Sequence, residues 1–422
     1  MSTERPFDVV VFGASGVTGR QVASYLAERA AEVGARWAVA GRDRAKVERA
    51  LAEVGVSAPE VLVADLADAE SLAAMASSAR VVLNLVGPYT RLGRPVIEAC
   101  VAGGAHYVDL TGEIPFVRRM IEAFHGPARE AGVKVVQVCG FEALPPDLAV
   151  ALAAETARSR WNEPLAEADL TLTVQPPPGL PRASDVISGG TAQTIAEVTL
   201  DDDSRSVTDP AALVDDPARA EEVRRRSPLV FAPRRGPGGA VLAPMAPAAF
   251  INPAVIQRSA ALGTADGDGD PPFVYREGIA LGGAPATAPL RWAAAGALAG
   301  MQAAAAGITR AQPAVRRRIG GMLEKALPGS GFGPSGERME GWRWRMALEA
   351  RTAGGHAVSV SVDADGHPGY LATARMLGEA GLLLAEAGTT PQRAGCLTPA
   401  TALGTASAPR FEPARVRFAV AA

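Results

Sequence analysis

The chain has 422 residues, a formal net charge of −3, 48% apolar residues and 21% charged residues. This length exceeds what one hydrophobic core usually serves, so two domains are expected. The near-neutral charge balance argues against a general nucleic-acid footprint, and the widely spaced Cys100, Cys139 and Cys396 give no sign of a disulfide framework or zinc site, which leaves buried thiols in a reducing cytoplasm.

Asp8–Phe12 reads as a short buried parallel strand. Gly13-Ala-Ser15-Gly16-Val17-Thr18-Gly19 follows, then a helical run through Arg29. Gly13 permits a tight turn, Gly16 lets backbone approach a pyrophosphate, and Gly19 lets the helix pack on the strand. The helix N-terminus adds free N–H groups and a favourable dipole for phosphates. The spacing is GxxGxxG, and its place between a strand and a helix gives it weight that a bare glycine pattern lacks.

A second strand, Arg36–Ala40, ends in Gly41-Arg42-Asp43-Arg44. An NAD site usually carries an acid at this strand end for the ribose 2′-hydroxyl, whereas an arginine suits a 2′-phosphate. Arg42 therefore points to NADP, and the alternative is a solvated helix start. The third strand, Val61–Ala64, ends in Asp65-Leu66, where the acid either faces adenine or caps the helix near Ala69. The fourth, Val81–Val86, contains Asn84 and runs into Gly87-Pro88-Tyr89 at the edge where ligands bind in such sheets. A helix is expected around Pro95–Ala102, a fifth strand from His106 leading to Asp109 and Glu113, and a sixth over Val133–Val138. The alternation implies an α/β fold with a doubly wound parallel sheet.

GASGVTG, AGRD, NLVGPYTRLGRPVIEAC, GGAHYVDLTGE and CGFEALPPDL together resemble the saccharopine dehydrogenase-like oxidoreductases, in the branch of bacterial trans-acting enoyl reductase-like proteins. SGGTAQT from Ser188, PGSGFGPSGERMEG from Pro328 and CLTPATALG from Cys396 resemble the later blocks of that branch. The resemblance implies a Rossmann domain over residues 1–145, an α+β substrate or dimerisation domain over 146–370, and C-terminal helices and tail, 371–422, returning to the first domain. It places Gly13, Ser15, Gly16, Val17, Thr18 and Gly19 at the phosphates and Arg42 at the adenosine ribose. Asp65 and Leu66 fall near adenine, and Asn84, Gly87, Pro88 and Tyr89 toward the nicotinamide. Glu142 stands where the pattern has aspartate, one methylene shorter.

Farther on, residues 166–174 read as a strand that opens the second domain, and Pro176–Pro181 breaks regularity. Asp201–Pro233 reads as a surface loop with helical pieces, its Asp201-Asp202-Asp203 a solvated turn. Asp266, Asp268, Asp270 and Glu277 imitate a calcium loop, but Pro271 occupies the position that needs glycine, so a flexible loop is expected and no metal site. The segment Trp292–Ile308, mostly Ala and Gly, reads as a packed helix, with at most peripheral membrane contact through Arg310, Arg316, Arg317 and Arg318. Trp342–Ala350 and Ala357–Val362 read as an antiparallel pair turned at Thr352–Gly355.

Hydride transfer needs the acceptor held against the nicotinamide with a proton donor nearby. Tyr89, His106, Tyr107, Asp109 and Glu113 are the candidates, with Tyr89, Asp109 and Glu113 chosen as the catalytic set, and the alternative for each is a structural hydrogen bond. The leading expectation is NADPH-dependent reduction of a C=C or C=N bond on an acyl or polyketide-derived small molecule, by a cytoplasmic enzyme for which a homodimer is one assembly open. The alternatives are a saccharopine-type amino-acid or imine dehydrogenase and a non-catalytic NADP-binding or lipid-surface protein.

Overall fold

The computed structural model describes residues 5–57, 60–179, 189–245, 247–263, 269–282, 287–326, 333–334 and 336–422. Strands β1 (Phe7–Phe12), β2 (Trp37–Gly41), β3 (Val61–Val63), β4 (Ala79–Asn84), β5 (His106–Asp109) and β6 (Lys134–Val136) alternate with helices α1 (Val17–Val33), α2 (Arg44–Ala52), α3 (Ala69–Ser78), α4 (Tyr89–Gly103) and α5 (Ile114–Glu130). The strands are near-continuous apolar runs because helices cover both faces of their sheet; Val9, Val10, Val11, Val81, Val82 and Leu83 are all fully buried. β1 pairs in parallel with both β2 and β4, which makes their carboxyl ends the point where the strand order reverses.

The chain continues through α6 (Leu144–Trp161), β7 (Leu165–Gln175), α7 (Gly189–Leu200), α8 (Pro217–Arg226), β8 (Arg234–Arg235), β9 (Val241–Ala243), α9 (Asn252–Leu262), β10 (Val274–Leu281), α10 (Ala288–Thr309), α11 (Pro313–Ala326) and α12 (Gly336–Met339). It ends with β11 (Arg343–Thr352), β12 (Ala357–Asp365), α13 (Thr373–Ala385), β13 (Gly395–Leu397), α14 (Pro399–Leu403) and β14 (Val416–Ala421). The first sheet has the order β13-β6-β5-β4-β1-β2-β3 and the second β14-β12-β11-β7-β10-β9-β8. The first is parallel throughout; the second is antiparallel except where β10 runs parallel to β7. The expected α/β sheet followed by an α+β unit is the observed architecture, and β11–β12 is the expected hairpin.

Several local expectations are corrected. The fourth strand ends at Asn84 and its helix begins at Tyr89 rather than near Pro95. The early start has a cause described below, a carboxylate that satisfies the first N–H groups. Asp68, not Asp65, caps α3 by accepting from Glu70 N and Ser71 N. The sixth strand stops at Val136 because Val138 adopts φ 60°, a rare conformation for a β-branched residue. Residues 371–422 divide between the sheets. α13 packs on the first sheet and β13 extends it beside β6, whereas β14 pairs with β12 in the second. Each strand goes where an unpaired sheet edge awaits it.

Asp201 is not a solvated turn: it is buried and receives a two-pronged contact from Arg119 at 2.8 and 2.9 Å, while the exposed Asp203 reaches Arg118. Arg91 on α4 likewise meets Glu197 on α7 at 2.7 Å. These pairs hold α7 and its neighbours α10 and α11 against the first domain. Of the calcium-like loop, Asp266 and Asp268 lie outside the described residues; Asp270 pairs with Arg158 and Glu277 with Asn252 and Tyr275 inside the second domain. Among the described residues no helix is long and apolar enough to cross a membrane. α10 buries a stripe of Ala295, Ala299, Gln302, Ala306 and Thr309, the spacing of one packed helix face.

Candidate functional site

A cavity of about 850 Å³ opens at the carboxyl edge of the first sheet. One end is the turn between β1 and α1. Gly13 sits at φ +93°, where a side chain would be strained and a Cβ would come within 2.9 Å of Val86. A Cβ on Gly19 would lie 2.4 Å from the Gly13 carbonyl oxygen, so this glycine is required for helix and turn to touch. Gly16 differs: its φ of −75° suits any residue, and a Cβ there would meet only the Gly13 oxygen at 3.4 Å. It is the exposed N-cap of α1, with no side chain capping the helix. Among the described residues, the first N–H groups of α1 are therefore left without a side-chain partner at the cavity wall, the arrangement that receives phosphate. The cradle fits a pyrophosphate on steric grounds and on hydrogen-bonding grounds.

Ser15, Val17 and Thr18 line this same end, and Gly87, Pro88 and Tyr89 line the adjoining stretch after β4. Arg42 is exposed just past β2, and Asp65 and Leu66 follow β3, all at the same sheet edge but outside the walls of this cavity. Lys46, in the first turn of α2, does line it. Sequence reading missed Lys46; its signal was a helical position one turn beyond Arg42. Asn84 is fully buried, donating to the Tyr107 hydroxyl and accepting from Val86 N.

The three acid–base candidates converge, but mostly on one another's backbone. The Tyr89 hydroxyl donates to the Asn84 carbonyl at 3.1 Å and accepts from Leu110 N at 3.4 Å. Its ring is buried beside Phe116, and burial together with Asp109 raises its pKa well above the ordinary tyrosine range. Asp109 accepts from Tyr107 Oη, Thr111 N and Val138 N. This last bond is what the bent Val138 backbone serves. Asp109 is fully buried and does not line the cavity; desolvation raises its pKa to about 7 against those hydrogen bonds. Glu113 does line it, and accepts from Tyr89 N and Thr90 N; burial again shifts its pKa upward.

The rest of the cavity is built from distant segments. Ile195 and Val198 on α7, Phe250 and Ile251 before α9, Met301, Ala304, Ala305 and Ile308 on α10, and Leu323 on α11 give an apolar wall. Tyr370 and Thr373, at the start of α13, and Glu142, in the turn after β6, complete it. Of these, the sequence had drawn attention only to the Ala/Gly-rich segment and to Glu142. Tyr370 and Thr373 carry no local motif, so only folding reveals them.

A model of the saccharopine dehydrogenase NADP binding domain matches residues 9–136. The chain is 33% identical over 420 residues to a trans-acting enoyl reductase of Mycobacterium ulcerans, covering 96% of this chain and 95% of that one. It is 31% identical over 430 residues to a trans-acting enoyl reductase of Mycobacterium tuberculosis, covering 98% and 97%. Among solved structures, it is similar to apo saccharopine dehydrogenase (L-Glu forming) from Saccharomyces cerevisiae, with a TM-score of 0.49, 14% identity, and coverage of 99% and 100%.

Proposed function

The chain belongs to the trans-acting enoyl reductases of the saccharopine dehydrogenase-like oxidoreductases, and from that membership we propose that it reduces the C=C bond of an apolar enoyl substrate. It is an NADP(H)-dependent oxidoreductase. When bound, NADPH supplies the hydride. Gly13, Ser15, Gly16, Val17, Thr18 and Gly19 would hold the pyrophosphate, Arg42 and Lys46 the 2′-phosphate, Asp65 and Leu66 the adenine. Gly87, Pro88 and Tyr89 would meet the nicotinamide, with Asn84 bracing them from behind.

The observation that carries the enoyl reading is the continuity of the cavity from the glycine cradle to the apolar wall of α7, α10 and α11. An acyl chain lying along that wall loses water on both sides, at roughly 25 cal/mol per Å² of apolar area. Tyr89, Asp109 and Glu113 hold the edge of the sheet beside the reacting bond, as positioning residues. An amino-acid substrate would need cationic partners for its carboxylates. Among the described cavity walls the cations are Arg20 and Lys46, both at the cradle end. This favours the enoyl over the saccharopine-type substrate. The three free cysteines, all buried, accord with a cytoplasmic setting.

The test is anaerobic NADPH oxidation with trans-2-dodecenoyl-CoA, a cyclic imine and a keto ester in parallel. Turnover of the enoyl thioester alone is expected. Turnover of the imine alone would replace the enoyl reading, and NADPH binding without turnover of any of the three would make the protein a non-catalytic NADP binder.

A further inference from the structure

Among the described residues, six titratable side chains line the cavity: Arg20, Lys46, Tyr89, Glu113, Glu142 and Tyr370. Arg20 and Lys46 belong to the phosphate end, and Arg20 is already paired with Glu53. The Tyr89 hydroxyl is held between Asn84 O and Leu110 N, and both Glu113 oxygens accept backbone N–H groups. Glu142 is different. Its carboxylate accepts only from its own backbone N–H and has no other hydrogen-bond or ion-pair partner among the described residues.

The turn that carries Glu142 is fixed on both sides. Phe141 N donates to Thr373 Oγ1, whose hydroxyl donates to Pro368 O. The Phe141 ring packs edge-on against Trp344 of the second sheet, with centroids 5.0 Å apart. Upstream, Asp109 holds Val138 N through its side chain and Cys139 N through its carbonyl. A flexible loop would bring an acid near a substrate only by chance; this one is clamped to β5, α13 and β11 and leaves one carboxyl facing the cavity. The carboxyl ends of β4, β5 and β6 are adjacent, so Glu142 stands on the side of the switch point where the nicotinamide would lie.

We propose that Glu142 is the proton donor of the reduction. The inference rests on the enoyl reading above. With NADPH supplying the hydride from a nicotinamide C–H bond that breaks, a C–H bond would form at the β-carbon of the enoyl group, the C=C π bond would break, and its electrons would move onto the α-carbon and carbonyl. The Glu142 O–H bond then breaks as its proton forms the α-carbon C–H bond, and water returns a proton to the carboxylate. Burial supports the role, because desolvation raises the pKa of this carboxyl above its ordinary value and favours the protonated form that a donor requires. Among the described residues, the other titratable groups facing this part of the cavity are Glu113 after β5 and Tyr370 before α13.

Two measurements test it. With trans-2-dodecenoyl-CoA in deuterated water, Glu142→Gln should lose about a hundredfold in kcat, with the Kd for NADPH unchanged by calorimetry. Glu142→Asp should recover part of that rate. The wild type should deliver one deuterium to a single face of the α-carbon, and the Gln variant should lose that facial preference. Full kcat in Glu142→Gln, or transfer of the whole effect to Tyr370→Phe, would overturn the assignment. The second measurement needs no substrate. Infrared difference titration of wild type against Glu142→Gln should show a carboxyl that stays protonated above the ordinary glutamate range, and an ordinary titration would also overturn the proposal. If the wild type itself fails to reduce the enoyl probe, the enoyl reading falls, and the titration still decides whether a protonated acid stands at Glu142.

Discussion

The Glu113 carboxylate accepts the backbone N–H of Tyr89 at 3.0 Å and that of Thr90 at 2.6 Å. A side chain from the segment after β5 thus completes the first turn of the helix that follows β4. The first four N–H groups of a helix have no partner inside it, and an acid placed there also meets the positive end of the dipole. Two neighbouring strand ends are therefore locked together at the cavity rim. Glu113→Ala should destabilise the protein by about 1–3 kcal/mol, the cost of leaving buried donors unpaired. Glu113→Gln, which keeps one acceptor oxygen, should cost less. Urea unfolding of the two variants checks this, and equal stability in Ala and wild type would remove the cap from the account.

The 2′-phosphate is expected to lie between Arg42 and Lys46. Arg42→Ala and Lys46→Ala should each weaken NADPH binding by about ten- to a hundredfold, the range of one charge-assisted bond. NADH binding should stay nearly constant. Calorimetry with both cofactors decides, and equal losses for NADH and NADPH would show that neither side chain reads the phosphate.

Gly16 and Gly19 should respond differently to the same substitution. Gly16→Val adds a side chain to ordinary backbone with room around it, so the fold should persist while the phosphate approach is blocked. Gly19→Val forces a Cβ to within 2.4 Å of the Gly13 oxygen, so the β1–α1 contact itself should fail. Thermal melts combined with NADPH titration separate the two outcomes. A folded Gly16→Val protein with unchanged NADPH affinity would displace the pyrophosphate from this turn.

Ala304 and Ala305 leave space along the α10 wall. Ala305→Phe should fill that space and shift the preference toward short enoyl thioesters, raising KM for a dodecenoyl probe while sparing a crotonyl one. A chain-length series of initial rates measures it; an unchanged profile would move the acyl chain elsewhere.

Asp109 links the site to pH. Its folded-state pKa of about 7 lies above the ordinary aspartate value, so folding takes up a proton between roughly pH 4 and 7. The contribution of this group to stability is therefore greatest at low pH and falls as pH rises toward 7. Asp109→Asn should lose that slope. Chemical unfolding at a series of pH values tests the sign, and a wild-type slope identical to that of the variant would show that the buried carboxyl does not titrate in this window.

How much of this was legible in the sequence follows from the range of the forces involved. Strand–turn–helix order, the glycine turn at Gly13–Gly19 and the hairpin at Thr352–Gly355 are governed by periodicity and local backbone sterics, and these are written in neighbouring residues. They determined the α/β class and one end of the cavity. Tyr89, Asp109 and Glu113 could be placed at one sheet edge, yet their hydrogen-bonding partners were not readable. Whether a carboxylate is a catalyst or a cap depends on which N–H groups folding brings to it, and for Glu113 those lie 24 and 23 residues away.

The other wall was decided by tertiary structure alone. Ile195, Phe250, Met301, Leu323 and Tyr370 carry no shared motif, and they meet because α7, α10, α11 and the start of α13 are drawn over the sheet edge by packing and by pairs such as Arg91–Glu197. The same holds for β13 and β14, which pair with strands on different sheets. The amino-acid sequence determined the elements and the glycine turn, because local sterics act within a few residues. The apolar wall, the placing of Glu142 at the cavity and the split course of the C-terminus arise from desolvation and pairing between remote segments, and these come into being only when the chain has folded.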